Sequence, residues 1–271
     1  MALATSRLRA AGVPDPARDA RLLLAHAASV DAARITLIAP EEIAPEIEER
    51  FDHLVALRLV RVPVSHLVGH RAFYGRDFKV SRDVLDPRPE TESLIDLALS
   101  APFETVLDLG TGSGCILITL LAERPGARGL GVDLSEAACL QASANAVLHQ
   151  VTDRVGFLQS DWFAKVEGRF DLIVANPPYL AASEMADVAP ELRDHEPSMA
   201  LTDGSDGLSA YRVIAHQAQG YLSPRGRVLA EIGWKQADAV AAIFADAGWA
   251  EVSVAPDLGG HPRVVSAARP A

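Results

Sequence analysis

The chain has 271 residues, enough for one large domain or two modest ones, and 49% are hydrophobic, which excludes collagen-like and disordered classes. The formal net charge is −11 at pH 7, which argues against a broad nucleic-acid footprint because phosphate binding runs on Lys and Arg. Two cysteines, Cys115 and Cys139, carry no zinc or redox spacing, no apolar run is long enough to span a bilayer, and no secretory signal is expected, so the predicted setting is reducing and cytoplasmic.

Residues 1–65 read as a small helical bundle. Asp15-Pro16 is a helix start, an N-cap followed by proline at the first helical position. Ala20, Leu23, Leu24 and Ala27 then share one face. Pro45 opens another helix, with Ile47, Phe51, Leu54, Val55 and Leu59 spaced for a buried stripe. Residues 66–90 read as a linker containing a hairpin, in which Leu67-Val68 and Phe78-Lys79-Val80 flank the turn residue Gly75. In Pro87-Arg88-Pro89-Glu90-Thr91 the residue before each proline is pushed to extended backbone, so no helix is expected before Thr91. A helix with apolar Leu94, Ile95, Leu97 and Ala98 follows.

Residues 91–271 read as an α/β domain. Strands are expected at 105–109, 128–133, 155–159, 171–175 and 226–232, and helices at 115–122, 136–148 and 236–247. Residues 252–255 and 264–268 close the chain as an antiparallel pair. Such alternation predicts a mostly parallel sheet covered on both faces, with ligands bound beyond the carboxyl ends of its strands.

The motifs fall at those ends. Asp108-Leu109-Gly110-Thr111-Gly112-Ser113-Gly114 joins the first strand to its helix, and its alternate glycines let the backbone approach a ligand. It lacks the Gly-Lys-Ser/Thr of a phosphate loop, which disfavours ATP chemistry. Asp133 ends the second strand, where a carboxylate can accept hydrogen bonds from both ribose hydroxyls of a nucleoside. Asp133 can instead cap the next helix, although Ser135 can supply that cap. After the third strand, Asp161 can read an adenine amino group and Trp162 can pack on its ring, or both can be ordinary loop and core residues. The fourth strand ends in Asn176-Pro177-Pro178-Tyr179. The prolines fix φ and donate no N–H, which makes a rigid mount for a polar hook that holds a planar –NH2 group through both hydrogens. A stiff turn closing the strand is the plain alternative.

Together these motifs resemble class I S-adenosylmethionine-dependent methyltransferases, a Rossmann-like fold. The resemblance implies that Asp108, Leu109, Gly110, Thr111, Gly112 and Gly114 cradle S-adenosylmethionine. It also implies that Asp133 holds the ribose, that Asp161 and Trp162 meet the adenine, and that Asn176 borders both cofactor and substrate. Asn-Pro-Pro-Tyr marks the subset that methylates planar amino groups. Further segments resemble the release-factor glutamine methyltransferases: Pro63-Val64-Ser65-His66-Leu67-Val68-Gly69, Phe73-Tyr74-Gly75, Phe78-Lys79-Val80, Pro87-Arg88-Pro89-Glu90-Thr91, Glu196-Pro197, Asp206-Gly207-Leu208 with Tyr211, and Glu231-Ile232-Gly233. In that family the substrate is the Gly-Gly-Gln glutamine of peptide-chain release factors, the products are N5-methylglutamine and S-adenosylhomocysteine, and the helical domain helps bind the protein.

The resemblance assigns Asn176, Pro177 and Tyr179 to catalysis, and Pro178, Pro89 and Glu90 with them to the substrate. Asp86 departs from the family, which places an apolar residue before Pro-Arg-Pro-Glu-Thr. No metal, membrane or direct nucleic-acid contact is expected. The alternatives are a ribosomal-protein glutamine, an exocyclic amine of a nucleic-acid base, which in a duplex must be flipped out, or a non-catalytic interaction subunit on the same fold.

Overall fold

The computed structural model describes residues 1–35 and 43–270. The helical expectation for residues 36–42 lies outside the described residues. The described chain forms two compact units: Met1–His70 together with Ala189–His195, and Arg71–Val188 together with Glu196–Ala271.

The first unit contains helices α1 (Ala2–Ala10), α2 (Pro16–Ala27), α3 (Pro45–Leu59) and α4 (Val64–Val68). Asp15 caps α2 by accepting from the Arg18 amide, and Pro16 follows at the first position. Ala20, Leu23, Leu24, Ala27, Phe51 and Val55 are buried in one cluster. Leu67-Val68 belongs to α4, not to a strand. Pro63 precedes this helix and Gly69, in the left-handed region at φ 81°, ends it by donating to the Ser65 carbonyl, so start and stop signals outweigh the β-branched composition. The hairpin consists of β1 (His70–Phe73) and β2 (Arg76–Lys79). Later in the chain, α8 (Pro190–His195) belongs to the first unit, whereas the hairpin beyond His70 belongs to the second. Glu191 of α8 accepts from Arg58 at 2.8 Å and from Arg61 at 2.6 Å, while Arg58 also donates to Asp19 at 2.8 Å. Burial alone would raise the Glu191 carboxyl, but the hydrogen bonds from Arg61 and Arg58 outweigh it and hold the group below its ordinary value.

In the second unit a single 3₁₀ turn, Pro89–Thr91, precedes α5 (Glu92–Leu99). Helical backbone therefore begins two residues before Thr91. The restriction falls on Arg88, which is extended at φ −104° and ψ 140°, and not on the residues after Pro89. The sheet is built from β3 (Thr105–Leu109), β4 (Arg128–Asp133), β5 (Val155–Gln159), β6 (Phe170–Ala175), β7 (Leu222–Glu231), β8 (Ala250–Pro256) and β9 (Pro262–Ala268). Its order is β5-β4-β3-β6-β7-β9-β8. The first five of these strands pair parallel, and β9 pairs antiparallel with both β7 and β8.

Alternate residues of the central strands feed two cores. Leu107, Leu109, Ile173, Ala175, Val228 and Ala230 pack with Tyr211 and Ile214 of α10 (Ser209–Gln217) and Val240 and Phe244 of α11 (Ala237–Asp246). Val106, Leu172, Val174 and Leu229 pack with Leu94 and Ile95 of α5 and Ile118 and Leu121 of α6 (Cys115–Glu123). Burial on both faces explains why these strands read as continuous apolar runs. Helix α7 (Glu136–Leu148) joins β4 to β5, and a short α9 (Ser198–Leu201) precedes α10.

The chain runs β3, β4, β5 outward in one direction and then returns to place β6 on the other side of β3. That reversal opens a crevice at the strands' carboxyl ends.

Candidate functional site

The sheet register brings the motifs together. Leu109 pairs with Val132 and Ala175, Asp133 with Gln159, and Ala175 with Ala230, so the carboxyl ends of five strands stand level. A cavity of about 320 Å³ sits there, near the lower end of ordinary small-molecule sites. Gly110, Thr111, Gly112, Asp133, Asp161, Trp162, Asn176 and Pro178 line it.

The glycine loop is pinned from behind. The Gly110 and Thr111 amides both donate to the Val132 carbonyl, at 2.8 and 2.9 Å. Gly110 and Gly112 have φ of 71° and 53°, and a Cβ on either would meet nothing within 4 Å. Their missing side chains leave room on the ligand side of the loop. Asn145, fully buried within α7, donates to the carbonyls of Ser113 and Lys79 and accepts from the Lys79 amide, all within 2.9 Å. This residue ties loop, helix and hairpin together.

Asp133 Oδ2 accepts from the Gly112 amide and Oδ1 from the Ser135 amide, both at 2.9 Å. Each oxygen keeps a further lone pair for a ligand hydroxyl. Burial raises its pKa and the N–H donors draw it partly back. Ser135, not Asp133, caps α7 by accepting from the Ala138 amide at 3.2 Å. Trp162 holds φ 47°, a costly conformation for a bulky residue, and this holds its ring at the cavity wall.

Asn176 follows β6, and its Nδ2 donates to Thr91 Oγ1 at 3.1 Å. The other end of that amide, Oδ1, is thereby left as the acceptor at the cavity. Tyr179 packs against the core, and its carbonyl accepts from Gln236 Nε2 at 2.8 Å. Burial, with Glu231 nearby, pushes Tyr179 up to about 12, so it stays a neutral phenol.

Other residues fall elsewhere. Leu109 is fully buried in the core and does not border the cavity, because a strand-end side chain at this register points into the α10–α11 layer. Gly114 serves packing, since a Cβ there would come within 2.9 Å of Ile118 and 3.0 Å of Ala142. Asp108 lies behind the loop, accepting from the Thr111 hydroxyl at 2.7 Å, and burial pushes it up to about 7. Pro89, Glu90, Pro177 and Tyr179 do not line this cavity, although Pro177 and Tyr179 flank Pro178, which does.

The lining also includes residues without a sequence assignment. Cys115 is there, but burial pushes its thiol up to about 12, which makes it a wall group and not a nucleophile. Asp203 accepts from the amides of Ser205, Gly207 and Ser209 and from the Ser209 hydroxyl. Burial opposes these donors, yet they hold Asp203 down to about 2. Asp86 is buried on the wall beside Glu196, on which Arg88 forks at 2.5 and 2.6 Å. Among the described residues no cluster of His, Cys, Asp and Glu could hold a metal ion, and no helix is long and apolar enough to cross a membrane.

Residues 1–69 match the family model of the PrmC N-terminal domain, and residues 81–205 match that of the methyltransferase small domain. The chain is 56% identical to the release factor glutamine methyltransferase of Cereibacter sphaeroides, over 99% of this chain and 96% of that protein. It is 40% identical to the protein of that name from Agrobacterium fabrum, over 97% and 94% of the two chains. A methyltransferase from Pyrococcus furiosus shares the fold at a TM-score of 0.56 and 17% identity, covering 74% of this chain and 92% of that one. The chain therefore belongs to the release factor glutamine methyltransferase family, enzymes that use S-adenosylmethionine.

Proposed function

We propose that this protein transfers a methyl group from S-adenosylmethionine to the side-chain amide nitrogen of the glutamine in the Gly-Gly-Gln motif of peptide-chain release factors. The observation that carries the reading is Asn176. It lies at the end of β6 on the cavity wall, with its amide nitrogen engaged by Thr91 and its oxygen left to accept.

The cavity fits the cofactor. Gly110 and Gly112 present backbone with open space before it, Asp133 offers lone pairs for ribose hydroxyls, and Asp161 and Trp162 stand where a purine would lie. When bound, S-adenosylmethionine supplies an electrophilic methyl on a positively charged sulfur.

A glutamine amide nitrogen is a poor nucleophile because its lone pair is delocalised into the carbonyl. The protein compensates by position and polarity. Asn176 Oδ1 and the Pro177 carbonyl accept the two N–H hydrogens and aim the nitrogen at the methyl. Orientation of this kind contributes up to roughly 7–11 kcal/mol. These acceptors also stabilise positive charge as it develops on the N–H groups. Tyr179, a neutral phenol, packs against the glutamine side chain and excludes water. No strong base is required, because the proton leaves after methyl transfer. The helical unit contributes to binding the release factor, and a net charge of −11 suits a protein partner better than nucleic acid.

The test is mass spectrometry of unmethylated release factor after incubation with the protein and S-adenosylmethionine. One methyl on the Gly-Gly-Gln glutamine is expected. Methylation of a ribosomal protein or a nucleic-acid amine, with the release factor untouched, would overturn the reading.

A further inference from the structure

We propose that Thr91 and Glu231 are positioning residues that fix which end of the Asn176 amide meets the acceptor glutamine. The inference rests on the function proposed above. A primary amide has two ends of nearly equal size, so packing alone does not choose between oxygen and NH2. The choice matters here. With oxygen toward the cavity Asn176 accepts from the substrate –NH2; with NH2 there it opposes one donor with another.

Hydrogen bonds must therefore make the selection. Ala175 and Ala230 are register partners on parallel β6 and β7, so Asn176 and Glu231 leave the sheet side by side. Thr91, buried at the start of α5, stands with both: Asn176 Nδ2 donates to Thr91 Oγ1 at 3.1 Å, and the Thr91 hydroxyl is near enough to the Glu231 carboxyl to draw its pKa down. A hydroxyl alone leaves the amide undecided, because it can donate or accept. An ionised carboxylate only accepts. It takes the one Thr91 proton, leaves Oγ1 as an acceptor, and so draws the Asn176 NH2 inward and turns Oδ1 outward.

Packing does not account for Glu231. It is 1% exposed, and its Oε2 has no hydrogen-bond partner. The nearby Arg263 of β9 spends its donors on Asp257 and the Ile232 carbonyl. A buried carboxylate held this way is costly and serves stability poorly. An obligate acceptor behind Thr91 gives it a purpose.

The same geometry makes the hook sensitive to protonation. Burial pushes Glu231 up to about 7, with Thr91, Arg263 and Arg88 drawing it down and Glu90 raising it. Tyr211 of α10, Tyr179 and Cys115 also face it. A proton on Glu231 converts it to a donor, frees the Thr91 hydrogen for Asn176, and favours the reversed amide. Turnover therefore falls as pH drops through the Glu231 pKa.

The experiment measures kcat, KM and the pH profile with full-length protein, release factor and S-adenosylmethionine, and S-adenosylhomocysteine affinity by calorimetry. Thr91→Val should lower kcat by at least ~10-fold at unchanged affinity for S-adenosylhomocysteine. Thr91→Ser, which keeps the hydroxyl, should recover most of that loss. Glu231→Gln should lower kcat and flatten the acid limb, while retaining Asp108 and every other group named above. Full turnover in Thr91→Val, no recovery in Thr91→Ser, an affinity loss parallel to the kcat loss, or an unchanged acid limb in Glu231→Gln would each overturn the proposal. A wild-type protein that methylates no release factor would instead remove the proposed function, so the two failures are separable.

Discussion

Asn176 and Asp133 line one cavity, and the proposed function gives them separable work. Asn176→Ala removes the acceptor for the substrate amide and should lower kcat far more than it weakens cofactor binding. Asp133→Ala removes two charge-assisted acceptors and should weaken cofactor binding by about 2–3 kcal/mol, read by calorimetry. Equal affinity there would leave Asp133 only its bonds to the Gly112 and Ser135 amides. Both residues stood out in the sequence for physical reasons. Asn176 is a polar group wedged between an apolar strand and two prolines, and Asp133 has Ser135 beside it to take the capping role. Thr91 and Glu231 sit within motifs but carry no individual signal, because only the folded chain brings the start of α5 to the end of β7. Leu109 was expected at the cofactor, yet its side chain lies in the core: a motif gives neighbours in sequence, while strand alternation decides which side chain faces the cavity.

At the scale of elements, the turn from β3 into α6 depends on one close approach. Gly114 has φ 79° and no room for a Cβ between Ile118 and Ala142 of α7. Gly114→Ala combines left-handed strain with overpacking and should destabilise the second unit by roughly 2–4 kcal/mol, measured by denaturant unfolding. By the same reasoning, alanine at Gly112 should cost mainly the backbone strain, since nothing crowds its Cβ. The central strands and long helices could be read from the sequence because burial on both faces leaves a dense apolar record. The first part of the stretch between β6 and β7 could not be read in this way. Its helices α8 and α9 span only 190–195 and 198–201, too short for a buried stripe. Helix α10 does carry one, in Ala210, Tyr211, Ile214 and Ala215, and its apolar face was open to reading.

At the scale of the molecule, the two units interleave in sequence. Residues 189–195 lie far from the first seventy, yet belong to the same unit. Glu191 connects them through Arg58 and Arg61. Glu191→Ala leaves Arg58 buried with Asp19 as its remaining carboxylate and should destabilise the first unit by about 3 kcal/mol. Hydrogen exchange along α3 would detect the loss. The depressed Glu191 pKa sets the sign of its pH dependence: the stabilisation is present above the unfolded carboxyl value and is lost as pH falls through the folded one. No composition shift or linker marked this segment, because a single glutamate meeting two arginines is indistinguishable in sequence from surface charge.

That ion cluster bears on how the gene can be recombined. A hybrid that exchanges residues 1–70 for those of a relative would bring together arginines from one parent and a glutamate from the other. Helix α8 must travel with the first seventy residues, so a working graft has two inserts and three junctions.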